Sequence, residues 1–245
     1  MPHRHPGVSR RAAILFAAIV AAVLSVAALS GCGGSSGNSS TAKPPAIPSA
    51  VVATATTTLN VYPAADSTIA VRTLPPTQPT GTQQVLLVTG RNGNRYEVLL
   101  PVRPNGSHGW VDGSQVSLTR TDLSVDLSLS NRHLRVLRNG SPIVDTPAAV
   151  GAPDTPTPTG LFYITDLLTP TNADGGYGPY AFGLSGYSDV FLTFAGGDGE
   201  VGLHGTNDPA SIGNAVTHGC IRVDNAVITQ LSKTLGLGTP ILVHA

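Results

Sequence analysis

Residues 123–130, Leu-Ser-Val-Asp-Leu-Ser-Leu-Ser, alternate apolar and polar side chains without a break. Successive side chains of a strand leave opposite faces, so this period of two specifies a half-buried β-strand. Short apolar runs repeat the theme at Val85–Val88, Tyr96–Leu100, Gly109–Val111, Leu134–Leu137, Leu161–Ile164, Val190–Phe194 and Ile241–Val243. Turn formers punctuate them, among them Gly90, Asn92-Gly93, Asn105-Gly106 and Asn139-Gly140, and the last pair specifies a tight hairpin. Clusters at Pro153–Gly160 and Asp174–Pro179 read as loops. One helix is expected: Asp224 or Asn225 caps it, Val227, Leu231 and Leu235 recur every four residues, and Gly236 ends it. With only 11% charged residues and 28 glycines, the composition agrees with an all-β, turn-rich chain.

Residues 1–31 read as an address rather than a fold. Arg4, Arg10 and Arg11 precede an apolar run from Ala12 to Leu29, and Leu29-Ser30-Gly31-Cys32 follows. That ending resembles a bacterial lipobox, which implies a lipoprotein signal peptide over 1–31 and a lipid on Cys32. A membrane-spanning helix is the competing reading of the same run. Ser9-Arg10-Arg11 also carries a faint likeness to a twin-arginine signal. All of these place the remainder outside the cytoplasmic membrane, in the cell envelope. Residues 32–49, rich in Gly, Ser and Pro, have too little apolar surface for a core and read as a flexible tether. The chain has 14 basic and 14 acidic residues. Removal of the three leader arginines leaves the rest slightly acidic, which argues against a nucleic-acid partner.

Two folded units are expected after the tether. Residues 50–119 form the first, and Leu59-Asn60-Val61-Tyr62 with Gly109-Trp110-Val111-Asp112 resembles a small bacterial SH3-like barrel that binds the wall or serves as a spacer. Residues 120–245 form the second, a β-sandwich with one packed helix.

The chemistry concentrates in Gly202-Leu203-His204-Gly205-Thr206 and Thr217-His218-Gly219-Cys220-Ile221-Arg222. Besides Cys32, Cys220 is the only cysteine, so no disulfide partner remains for it. A thiol ionises at about 8.5 and needs a nearby imidazole to lose its proton at neutral pH. Both His204 and His218 are candidates; His218 is the nearer in sequence, on the same face of an extended segment as Cys220. The glycines between them let backbone N–H groups approach a substrate as an oxyanion hole. A zinc site built from His204, His218 and Cys220 is the chemical rival, and a purely wall-binding protein is the other.

His-Gly-Thr, a short loop containing Pro209, Ile212 and Gly213, and then Thr-His-Gly-Cys-Ile-Arg resembles the signature of the L,D-transpeptidase catalytic domain family. The likeness spans about 122–245 and includes Asn139-Gly140, Thr157-Pro158-Thr159-Gly160 and Gly238-Thr239-Pro240. It implies that Cys220 is the nucleophile and His204 the proton acceptor and donor, oriented by the carbonyl of Gly205. His218, Gly219 and Cys220 line the oxyanion site. Arg222, Thr217 and Tyr187 are the substrate-binding residues expected, the last from a glycine-rich stretch with Tyr177 and Tyr180 that could form a flap. Thr217 stands where serine is commoner, and Val227 where the family often has an acid. The implied reaction is acyl transfer between peptidoglycan stem peptides, as donor and acceptor, without metal or cofactor. Carbapenems are the implied inhibitors, and water in place of the acceptor would give a carboxypeptidase. Asp198, Glu200 and Asp208 flank the signature but show no acid/base spacing, and are expected in exposed loops.

Overall fold

The computed structural model describes residues 47–193 and 197–245. The expected signal peptide, Cys32 and nearly all of the tether lie outside the described residues.

The first sheet is antiparallel. Its strands are β1 (Ala50–Ala55), β4 (Val85–Asn92), β5 (Arg95–Leu99), β6 (His108–Asp112) and β7 (Val116–Thr121), in the order β6-β5-β4-β1-β7, with a small β2 (Leu59–Val61) and β3 (Arg72–Leu74) hairpin beside it. The turn after β4 works because Gly93 adopts a φ of 58°, a conformation costly for other residues. Val52, Leu59, Leu86, Val98 and Val111 are buried together in its core.

A single residue, Asp122, separates β7 from the second sheet. That sheet contains β8 (Leu123–Ser128), β9 (His133–Arg138), β10 (Ser141–Pro147), β12 (Gly160–Leu168), β13 (Ala181–Tyr187), β14 (Glu200–His204), β16 (Ile221–Arg222) and β17 (Pro240–His244). The order is β10-β9-β8-β17-β12-β13-β14-β16, with β8–β17 and β14–β16 parallel. Two short strands, β11 (Val150–Gly151) and β15 (Ala215–Thr217), pair separately in parallel. The all-β reading with one helix holds. Asn139 and Gly140 turn β9 into β10 with φ of 50° and 78°, as a two-residue hairpin turn requires.

Helix α1 (Asn225–Thr234) starts at Asp224, whose carboxylate accepts from the N–H of Ala226 at 2.7 Å. Its buried face is Ile228 and Leu231, continued by Leu235, with Val227 only partly buried. These residues meet Leu127, Leu134, Ile164, Phe182 and Leu203 of the sheet in one core. Leu231 and Leu235 thus face inward as their spacing predicts, and Ile228 takes the buried place of Val227. Every residue of β8 is buried, not one face only. Its polar face is covered because Arg135 Nε donates to Asp126 at 3.1 Å and His244 approaches the same carboxylate at 3.2 Å.

Two strand expectations change. Val190–Thr193 is not a strand: the Ser188 hydroxyl accepts from the N–H groups of Val190 and Phe191, which bends the chain out of a ladder; Phe194 lies outside the described residues. The glycine-rich stretch 181–187 is not a flap but β13, central in the sheet. Its glycines hid it; a Cβ on Gly186 would press on the Phe162 ring at 2.7 Å, and one on Gly183 would sit 2.9 Å from Glu200 Oε1.

The two sheets belong to one compact unit. Tyr163 of β12 is fully buried in the core of the first sheet. Gln78 Nε2 donates to the Thr165 carbonyl at 2.7 Å. On the far side, Arg103 from the β5–β6 connection donates to the carbonyls of Ser188, Phe191 and Asp198 at 2.6, 2.9 and 2.9 Å. Asn105 exchanges hydrogen bonds with the backbone of Tyr187 at 2.7 and 2.9 Å. Replacing Arg103 by Ala leaves three carbonyls without their charged donor. Arg103→Ala is expected to lower stability by about 1–3 kcal/mol, read as a lower urea midpoint at unchanged slope. An unchanged midpoint would mean the brace carries no energy.

Candidate active site

Strand β14 presents Glu200, Gly202 and His204 on one face, since they alternate along it. Strand β16 runs parallel to it with Leu203 opposite Ile221 and His204 opposite Arg222. Cys220, one residue before β16, is thereby carried beside Gly202, whose N–H points at Sγ at 3.4 Å. A Cβ on Gly202 would lie 3.7 Å from His204 Cδ2 and 4.0 Å from Cys220 Sγ, so the glycine leaves the space between ring and sulfur open. Both face a cavity of about 540 Å³ that Tyr177, Phe182, Gly199 and Glu200 also line. A concavity of about 500 Å³ on the first sheet is lined by Val51, Arg91, Tyr96 and Arg120, and one of about 400 Å³ by Ser128, His133, Arg135 and Asp145, neither with a thiol.

His204 is oriented from behind. Its Nδ1 lies 2.6 Å from the carbonyl oxygen of Gly205. A carbonyl only accepts, so Nδ1 carries the proton and Nε2 holds the lone pair. Burial pushes the imidazole down to about 4, outweighing the Gly205 hydrogen bond, and Arg222 pushes the same way. The ring is therefore neutral at pH 7. Gly205 is fixed in turn: its N–H donates to Tyr180 O at 3.3 Å, and the next N–H, of Thr206, donates to Asn225 Oδ1 at 2.8 Å. A Cβ on Gly205 would run into that same Asn225 oxygen. The Tyr177 ring meets His204 edge-on, with centroids 4.9 Å apart.

The thiol turn is built by Thr217. Its hydroxyl donates to Cys220 O at 2.6 Å and accepts from Gly219 N at 3.2 Å. Gly219 takes a φ of 113°, open to glycine alone at low cost. The 152–157 loop backs the turn, with Ala152 N–H and the Thr155 hydroxyl both donating to Thr217 O at 2.9 Å. Burial raises the Cys220 thiol; the Gly202 N–H and Arg222 lower it, and Glu200 raises it. Thiol and imidazole thus rest as a neutral pair. His218 packs edge-on against Phe191, with centroids 5.8 Å apart, and borders a narrow cleft with Cys220 and Glu200. Among the described residues, no three His, Cys, Asp or Glu side chains converge as a metal-binding group.

Most of the expected residues meet here, but two do other work. Thr217 is buried within its own turn, so its hydroxyl shapes the loop and does not face the cavity. Tyr187 points to the first sheet: its hydroxyl donates to Pro101 O at 2.9 Å and Arg103 stacks on its ring at 4.9 Å. Tyr177 lines the cavity instead. Three further residues shape the site. Asn225 starts the helix yet spends its side-chain oxygen on Thr206 N–H. Tyr177 was placed only in a general flap. Glu200 is exposed as expected, but it sits on β14 and not in a loop, and Thr165 Oγ1 donates to its carboxylate at 3.0 Å. Although exposed by surface area, the carboxyl is recessed enough for desolvation to push it up to about 7; Thr165 lowers it, while Asp198 and Asp166 raise it. Water still reaches it through the cavity mouth. The period-two spacing of Glu200, Gly202 and His204 was the signal available for it.

Residues 122–243 match the L,D-transpeptidase catalytic domain family, YkuD. The protein YkuD of Bacillus subtilis, which bears an L,D-transpeptidase name, is 36% identical over 121 residues, 49% of this chain and 60% of that protein. Its namesake in Bacillus licheniformis is 35% identical over 115 residues, 47% of this chain and 61% of that one. The chain thus matches about 60% of the length of these curated relatives. The solved catalytic domain of an E. faecium L,D-transpeptidase is 26% identical, with a TM-score of 0.36, over 50% of this chain and 96% of that domain. With a thiol-bearing turn, an oriented imidazole and this family match in one segment, residues 122–243 belong to the L,D-transpeptidase catalytic domain family.

Proposed function

We propose that this protein cross-links peptidoglycan stem peptides through a thioester on Cys220, with His204 as the proton carrier. The observation that supports it most is the open space over Gly202, which leaves the Cδ2–Nε2 edge of His204 and the Cys220 sulfur facing one cavity while Nδ1 is tied to Gly205 O. His204 Nε2 takes the thiol proton as sulfur attacks the carbonyl carbon of the L,D peptide bond after the third stem residue. Because thiol and imidazole rest neutral, the proton moves with the attack rather than before it. In this reading the His218–Gly219–Cys220 turn lines the oxyanion site, and the Gly219 N–H, 3.2 Å from the Thr217 hydroxyl, fixes its shape. His204 then hands its proton to the departing D-alanine amine. An amine of a second stem, such as that of diaminopimelate, resolves the thioester; water in its place yields a carboxypeptidase product. Arg222, whose charge reaches both His204 and Cys220, supports the loop or meets a stem carboxylate. In this reading the leader directs export and is removed, and a lipid on Cys32 holds the enzyme at the outer face of the membrane, beside its substrate. The first unit, read as SH3-like, acts as wall binder or spacer.

A carbapenem added to the purified full-length chain is expected to add one drug mass, and none in Cys220→Ala. His204→Gln should slow that acylation by about 10²–10⁴-fold. No adduct on the folded parent would sink the thioester reading. The low imidazole value also sets a pH expectation. A base titrating near 4 is fully neutral above about pH 5, so the acylation rate should change little from pH 5.5 to 7.5. An ordinary histidine would instead show a tenfold climb through about 6.5; that climb, in rapid-quench mass kinetics, would reject the buried neutral base.

A further inference from the structure

Along β14, His204 and Glu200 stand four residues apart on the same face, about 13 Å between their Cα atoms in extended chain, with Gly202 and the Cys220 sulfur between them. The sulfur therefore has a proton carrier on one side and a carboxylate on the other, all in one cavity. Nothing in the first half of the reaction uses Glu200. Yet the fold makes room for it: its Oε1 lies over Gly183, where a Cβ would come to 2.9 Å, and Thr165 Oγ1 holds it at 3.0 Å. We infer that Glu200 is the acceptor-side residue, which binds the ammonium group of the incoming amine and takes its proton before that amine attacks the Cys220 thioester. The inference rests on the thioester reading above.

The chemistry calls for such a group. An aliphatic amine titrates near 10, so at pH 7 it arrives as an ammonium with no lone pair. The ammonium gives one proton to the Glu200 carboxylate. The neutral nitrogen then bonds to the thioester carbonyl carbon. As the C–S bond breaks, the second amine proton passes through His204 to the departing sulfur, and Cys220 returns as a thiol. Glu200 releases its proton to water in the cavity mouth. The surroundings favour a cation. Asp166 and Asp198 act on Glu200 from β12 and from the turn before β14, and Tyr163 and Tyr187 couple to it from β12 and β13. Cys220 and His218 border it on the thiol side. Two guanidiniums border the site: Arg103, which donates to the carbonyls of Ser188, Phe191 and Asp198, and Arg222, which acts on Cys220 and His204. A carboxyl raised toward neutrality is also a better proton acceptor for an amine than an ordinary one.

The test uses the full-length protein, a tetrapeptide donor ending in D-alanine, and two acceptors: Nα-acetyl-lysine amide, an ammonium at pH 7, and methoxyamine, neutral at that pH. D-Alanine release reports acylation, and amide against free tripeptide reports the partition. In Glu200→Gln, transfer to the lysine amide should fall about 10–100-fold relative to transfer to methoxyamine from the same acylated enzyme. Glu200→Asp should recover part of the loss. The parent's lysine-to-methoxyamine ratio should show an inflection near pH 7 that the Gln variant lacks. Equal loss with both acceptors, or no loss with either, overturns the inference while leaving the thioester intact. If Glu200→Gln does not fold, the parent's ratio decides alone: no inflection between pH 6 and 8 overturns it. Absence of D-alanine release from the parent is a different failure, that of the thioester reading itself.

Discussion

The site depends on the parallel ladder between β14 and β16. Parallel neighbours cannot be joined by a tight turn, so the chain must leave His204, cross over and return at Ile221. That crossover is what separates the two halves of the signature in sequence while bringing them side by side in space. Within it, β15 pairs with β11 and Arg222 exchanges both backbone hydrogen bonds with Ala149, at 2.8 and 2.9 Å. The return leg is thereby tied to the sheet before the thiol turn closes. A one-residue slip in the ladder would turn Cys220 to the opposite face, because side chains alternate with a period of two.

Burial then decides the protonation states. His204 is pushed down and Cys220 up, and in each case burial outweighs the hydrogen bond that opposes it. An imidazolium–thiolate pair would have to be held against that desolvation in the resting state. The neutral pair avoids this and keeps the sulfur as a thiol, which reacts far more slowly with oxidants and stray electrophiles than a thiolate does. The Gly205 carbonyl matters more in this setting. It selects the tautomer, and with both partners neutral the tautomer decides whether the ring can accept a proton at all.

Much of this was legible in the sequence, and the failures share a cause. Alternation revealed β8, the Asn139-Gly140 pair revealed its hairpin, and the His204 and Cys220 motifs lay where the cavity forms. The glycines misled. In β13 and β14, Gly183, Gly186 and Gly202 interrupt the apolar pattern, so these strands read as loop. They are glycines because something occupies the place of a side chain: the Glu200 carboxylate, the Phe162 ring, and the gap between imidazole and sulfur. Local pattern cannot register a vacancy that only a distant side chain fills. Tyr187 failed for a related reason, since the partner that claims its hydroxyl, Pro101, lies 86 residues away.

The same long-range logic ties the first sheet to the chemistry. Arg103 reaches the backbone at Ser188, Phe191 and Asp198, and Asp198 is two residues before Glu200. Phe191 carries the ring that His218 packs on, and His218 is two residues before Cys220. One guanidinium therefore sits behind both the carboxylate wall and the thiol wall of the cavity. Were the first sheet a spacer alone, contacts of this kind could be lost without consequence for the site. Three charge-assisted hydrogen bonds converging on the segment between β13 and β14 make it a brace instead, so the geometry of the candidate site belongs to both sheets and not to residues 122–243 alone.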